Sequence, residues 1–145
     1  MIVLVLGATG QVGTPVVKAL LAAGHHVRIL TRNPEKADAL SGVDARQGDL
    51  NEPMSLGPAF AGVDGVFLLN AVSPSETQQG LAAVEWAKRT GVKKLVYVSV
   101  HHLDASPHIP HFGGKIATLL YGTSTRTMNN CRGSASVNSK SGSAP

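Results

Sequence analysis

The chain has 145 residues, enough for one domain. Its net charge is +4, but Arg126, Arg132 and Lys140 near the end have no acidic neighbours, and residues 1–118 carry ten basic against nine acidic side chains. That near-neutral body offers no electrostatic footprint for nucleic acid, and no apolar run approaches the roughly 20 residues needed to span a bilayer.

The single cysteine, Cys131, excludes an internal disulfide, which fits a reducing compartment. The start lacks a basic n-region and cleavage site, so no signal peptide is expected and a cytoplasmic location is the default. The low aromatic content, 4%, suits an α/β protein built from Val, Leu and Ala.

Read in chain order, Ile2–Leu6 is a buried strand. A helix over about residues 11–23 follows, with Val12, Val16, Ala19, Leu20 and Ala23 on one face and Gly24 ending it. Val27–Thr31 is the second strand. A helix opens at Pro34 and runs to about Leu40. Val43–Gln47 is a third, partly exposed strand, and Gly48-Asp49-Leu50 a loop. A helix over Pro53–Phe60 is weakened by Gly57-Pro58. Val66–Asn70 is strand four, and the longest helix spans about 75–90 with Leu81, Val84 and Ala87 inward. Lys94–Ser99 is strand five. A last helix starts near His111, with Phe112, Ile116 and Leu119 on one side. From Gly122 onward Ser, Thr, Asn and Gly dominate, and such a stretch buries too little to offset its ordering entropy. The domain is therefore expected over 1–121, with 122–145 a disordered tail.

This βαβαβαβαβ order implies an open, doubly wound parallel sheet in the order 3-2-1-4-5, with helices on both faces. Ligands bind such sheets at the carboxyl ends of the strands, where the order reverses between strands one and four. There lies Gly7-Ala8-Thr9-Gly10-Gln11-Val12-Gly13. A strand, a glycine-rich turn and a helix N-terminus in succession form a pyrophosphate site, because free amides and the helix dipole both favour an anion. The preceding strand and following helix make the spacing informative. An ordinary βα turn is the plainer alternative. At the end of strand two, Thr31-Arg32-Asn33 supplies no carboxylate for a ribose 2′-hydroxyl. Arg32 suits a 2′-phosphate and Lys36 adds charge, which favours NADP(H) over NAD(H). A solvated Arg32 is the alternative.

With these stretches in place, the chain resembles the NmrA-like branch of the atypical short-chain dehydrogenase/reductases. The likeness rests on the glycine turn, Thr31-Arg32-Asn33-Pro34-Glu35-Lys36, Gln47-Gly48-Asp49-Leu50, Gly62-Val63-Asp64-Gly65-Val66-Phe67-Leu68-Leu69, and Gly91-Val92-Lys93-Lys94-Leu95-Val96-Tyr97-Val98-Ser99. It covers residues 1 to about 118. The resemblance implies that Asp49 and Leu50 flank an adenine, Asp49 accepting from its amino group. It places Leu69 and Asn70 against ribose and phosphates and Ser99 near the nicotinamide. His111 and Lys115 stand where typical members carry Tyr-x-x-x-Lys, and Lys115 would bond the nicotinamide-ribose hydroxyls.

Members of this family run well past 200 residues. The change of composition after Thr118 therefore leads to the expectation of a C-terminally truncated or frame-shifted product. Tyr97 sits mid-strand and reads as packing. His101, His102, His108 and His111 match no helical ligand spacing, so no metal site is expected. Ser99 lacks a nucleophile elbow. Three readings stay open. They are an oxidoreductase passing hydride from NADPH to a small quinone or carbonyl, a non-catalytic NADP(H)-binding redox sensor, and a fragment without activity. Oligomeric state and substrate identity are not legible.

Overall fold

The computed structural model describes residues 1–37, 40–99 and 110–124. Five parallel strands, β1 (Ile2–Val5), β2 (His26–Thr31), β3 (Val43–Gln47), β4 (Gly65–Leu68) and β5 (Lys94–Tyr97), form one sheet in the order β3-β2-β1-β4-β5. Both the expected fold class and the expected strand order are present. Four α-helices accompany them: α1 (Gly13–Ala22), α2 (Gly57–Phe60), α3 (Glu76–Arg89) and α4 (Pro110–Ser124).

Alternation along β1 explains how the sheet is covered. Val3 and Val5 point to one face, where with Val27 and Ile29 they pack on Val17 of α1 and on Ala37. Leu4 and Leu6 point to the other, joining Val66, Leu68, Leu95 and Tyr97 beneath Phe60, Val84 and Ala87. A strand buried on both faces reads as an unbroken apolar run, which is why Ile2–Leu6 stands out in the sequence.

Glycines stop the helices where expected. After α1 the amides of Gly24 and His25 turn back to Leu21 O and Leu20 O, both at 3.0 Å, and Gly24 takes φ 77°. This closes the helix and turns the chain into β2.

The structure corrects several expectations. The buried side of α1 carries Gly13 and Val17, with Val16, Leu20 and Leu21 partly buried, whereas Val12, Ala19 and Ala23 are exposed. The close seat of Gly13 on the preceding turn sets that rotation. Among the described residues the segment from Pro34 forms a 3₁₀ turn, Pro34–Ala37, entered through the Glu35 amide donating to Asn33 Oδ1 at 3.0 Å, and residues 38–39 lie outside the described residues. The Pro53–Phe60 helix divides into a 3₁₀ turn, Pro53–Leu56, and the short α2. The Trp86 ring lies 3.1 Å from where a Gly57 Cβ would stand, and its Nε1 donates to Pro53 O at 2.7 Å. On α3, Gly80, Ala83, Val84 and Ala87 are buried, while Leu81 is half-buried. α4 runs through Ser124, beyond the domain boundary drawn at residue 121, and residues 125–145 lie outside the described residues. Among the described residues no helix is long and apolar enough to cross a membrane.

Candidate functional site

At the carboxyl ends of the strands a cleft of about 450 Å³ opens where the sheet order reverses. Gly7 and Thr9 from the turn after β1 line it, with Arg32 after β2, Asp49 and Leu50 after β3, and Leu69 and Asn70 after β4. Four loops thus bring together seven residues singled out in the sequence. Gly10, Gln11, Val12 and Gly13 belong to the same turn but do not line the cleft; the first three are exposed and Gly13 is buried against the turn.

The turn is shaped for a close-lying ligand. Gly7 has φ +77°, and a Cβ there would stand 2.5 Å from Leu69 O. A Cβ at Gly13 would overlap the Gly7 carbonyl, so α1 begins hard against the turn. Gly10 N–H closes the turn on Gly7 O at 3.2 Å, and Thr14 Oγ1 donates to Ala8 O at 3.1 Å. The amides of Gln11, Val12 and Gly13 donate to no acceptor among the described residues. Free amides at the N-terminus of a ten-residue helix fit an anion.

The loop after β2 is held by its own short bonds. Thr31 Oγ1 donates to Asn33 O at 2.9 Å and accepts from Asn33 N–H at 3.2 Å. Arg32 is exposed and makes no ion pair among the described residues, whereas Arg28 and Arg46 are both held by Asp44. A second recess, of about 410 Å³, adjoins the cleft through Arg32, Gly48 and Asp49 and also carries Glu52. These features fit a dinucleotide along the carboxyl edge, its diphosphate on the α1 amides and its adenosine end towards Arg32 and Asp49. The Lys36 side chain lies outside the described residues.

On the α3 side of the sheet sits a buried polar cluster. The β4–β5 register pairs Leu68 with Tyr97, so Asn70 and Ser99 follow two residues further on the same face. Asn70 Nδ2 donates to Glu76 O at 2.8 Å. The Lys115 ammonium from α4 donates to Glu76 Oε1 and lies 5.7 Å from the centre of the Tyr97 ring. Glu76 and Lys115 are 3% and 4% exposed, so this is an ion pair taken fully out of water. Asn70 Oδ1, Glu76 Oε2, Tyr97 Oη and Ser99 Oγ are buried without a hydrogen-bond partner among the described residues. Burial, reinforced by the Glu76 carboxylate and slightly offset by the Thr118 hydroxyl, pushes the Tyr97 phenol up to about 12.

Lys115 and Ser99 therefore lie beside Asn70 rather than among the residues lining the cleft. The side chain of His111, and all of His101, His102 and His108, lie outside the described residues. Sequence reasoning missed Glu76, the partner of Lys115, and the cleft residues Asn33, Asn51, Ser73, Ser75 and Gln79. Polar residues just past β3 and β4 were the available signal, since those strand ends face the cleft.

Comparison with known proteins agrees with this geometry. The NmrA-like family model matches residues 1–120. The NAD(P)H azoreductase of Xenophilus azovorans is 39% identical over 110 residues, covering 74% of this chain and 38% of the azoreductase. The triphenylmethane reductase of Citrobacter sp., solved with NADP(H), superposes with a TM-score of 0.79 at 32% identity, over 88% of this chain and 47% of the reductase. An NADPH-dependent quinone oxidoreductase of Escherichia coli, solved with NADPH, gives a TM-score of 0.77 at 30% identity, over 85% and 45%. The chain spans less than half the length of these relatives. The sheet order, the glycine turn and the family match together place this chain in the NmrA-like family.

Proposed function

We propose that the chain binds NADP(H) in the cleft between β1 and β4, as the dinucleotide-binding part of a reductase that delivers hydride from NADPH to a small quinone or carbonyl. The observation that carries this reading is the pairing of donors along one edge that have no partner among the described residues: the amides of residues 11–13 and the Arg32 guanidinium. The coenzyme supplies the hydride; the protein binds and orients it.

In this reading the α1 amides hold the diphosphate and Arg32, helped by Lys36, takes the adenosine 2′-phosphate. Asp49 accepts from the adenine amino group and Leu50 covers its face. Leu69 and Asn70 lie along ribose and phosphate, with Ser99 towards the nicotinamide and His111 as the candidate proton donor. Lys115, whose ammonium donates to Glu76 Oε1, keeps further N–H donors for the ribose hydroxyls. The named activities of the relatives support a reductase, and both NADP(H)-bound structures support the phosphorylated coenzyme.

A second reading, an NADP(H)-binding redox sensor without turnover, is favoured by one feature. The only described tyrosine near the cluster, Tyr97, is buried and its phenol is raised to about 12, which makes it a poor acid at neutral pH.

Fluorescence titration with NADPH and NADH, beside NADPH consumption over a panel of quinones, tests both. The wild-type chain is expected to prefer NADPH about tenfold or more, because charge-assisted bonds to a phosphate contribute about 1.5–3 kcal/mol. Arg32→Ser is expected to bring the two coenzymes within a few-fold of each other. Binding without consumption selects the sensor. A folded chain that ignores both coenzymes at millimolar concentration overturns the coenzyme reading.

A further inference from the structure

A line of side-chain hydrogen bonds joins the loop after β3 to the first turns of α3 along the cleft wall. Asp49 Oδ1 accepts twice from Asn51, from its backbone N–H at 2.9 Å and from its Nδ2 at 3.2 Å. Asn51 Oδ1 accepts from Gln79 Nε2 at 2.9 Å, and the same Gln79 nitrogen donates to Ser75 Oγ at 3.0 Å. All four residues line the cleft. The main chain of Asp49 is fixed as well, since its N–H donates to Ser55 Oγ at 2.9 Å.

From Gln79 to Asp49 the donors run in one direction. An amide nitrogen only donates, so Gln79 obliges Asn51 to turn its carbonyl oxygen towards α3 and its NH₂ group towards Asp49. One carboxylate oxygen of Asp49 is thereby doubly engaged. The other, Oδ2, bonds to no described residue, and Asp49 lines the cleft. A carboxylate anchored through one oxygen is an aimed acceptor.

We infer that Asn51 and Gln79 are positioning residues that aim Asp49 Oδ2 at the exocyclic amino group of the bound purine. This makes a residue of α3 a determinant of base specificity. The inference rests on the coenzyme reading given above. Adenine offers an N–H donor at that place. Hypoxanthine offers a carbonyl oxygen, whose lone pairs would face the carboxylate and leave both acceptors unmatched.

The test is an equilibrium titration of the whole chain with NADPH and with its hypoxanthine analogue, reduced nicotinamide hypoxanthine dinucleotide phosphate. The wild type is expected to bind the adenine form about tenfold or more tightly, the usual value of a hydrogen bond to a charged group. Gln79→Glu inverts the line, because the new carboxylate accepts where the amide donated. Asn51 must then turn its NH₂ towards α3 and its carbonyl towards Asp49. The base preference is expected to fall to about threefold or less, with the NADPH-to-NADH ratio unchanged. A merely structural role would move both ratios or neither. Asn51→Ala, on the exposed loop, repeats the test without altering α3: it removes the Nδ2 bond, keeps the main-chain bond to Asp49 Oδ1, and is expected to lower the base preference in the same direction. The inference is overturned if either variant, with a wild-type melting temperature, keeps the wild-type base preference. It is overturned equally if the wild type binds both bases alike while still binding NADPH. A folded wild type that binds neither form removes the coenzyme reading itself.

Discussion

The Glu76–Lys115 pair shows at the scale of single residues how far a local pattern reaches. Lys115 is visible in the sequence because a lysine at that spacing resembles the family's. Glu76 stands 39 residues away at the start of another helix, and nothing local announces their meeting. The pair is buried, and Glu76 Oε2 has no hydrogen-bond partner among the described residues. Removing one partner leaves an uncompensated charge, so Glu76→Gln or Lys115→Met is expected to lower unfolding free energy by about 3–5 kcal/mol. The double replacement is expected to cost less than either single one, because no charge is then stranded. Urea denaturation of the three variants measures both effects. Additive losses would mean that the two side chains act independently. Arg32 and Asp49 were more legible than Glu76, because a strand end on a doubly wound sheet already states which way its following residues face.

At the scale of elements, pattern and structure agree where burial is two-sided and part where a helix has only one covered stripe. β1 follows directly from its apolar run. For α1, a stripe through Val12, Ala19 and Ala23 fits the period as well as the true one, and only the contact of Gly13 with the turn decides between them. The helix from Pro53 was overextended for a related reason: Trp86 divides that segment by a bond that propensity does not contain. The α3–α4 contact makes a sharper claim. A Cβ on Gly80 would overlap the side chain of Thr118, which is fully buried and donates to Gly114 O at 3.0 Å. Gly→Ala in a helix interior ordinarily gains up to about 1 kcal/mol. Here overpacking of about 1–3 kcal/mol outweighs that gain, and Gly80→Ala is expected to be destabilising. Adding Thr118→Ala should recover part of the loss. Chemical denaturation of the two variants decides it, and a more stable single variant would refute the close approach.

For the whole molecule, coverage of the sheet is uneven. Tyr97 and Leu95 of β5 are buried under the helices, whereas Val96, on the opposite face, is 49% exposed. β5 is also an edge of the described sheet, pairing with β4 alone. An exposed apolar side chain on an uncovered face invites another copy. Val96→Lys is therefore expected to reduce concentration-dependent self-association in sedimentation experiments and to leave NADPH affinity unchanged. Equal association of variant and wild type would locate the contact elsewhere.

The central place of β1 has a kinetic consequence. This strand leaves the ribosome well before one of its two neighbours, β4, which lies some sixty residues downstream. At about 5–20 residues per second, translation takes roughly 3–12 seconds to deliver that neighbour. Throughout that interval the most apolar strand of the sheet has one side open, a binding opportunity for nascent-chain chaperones that ends when β4 docks.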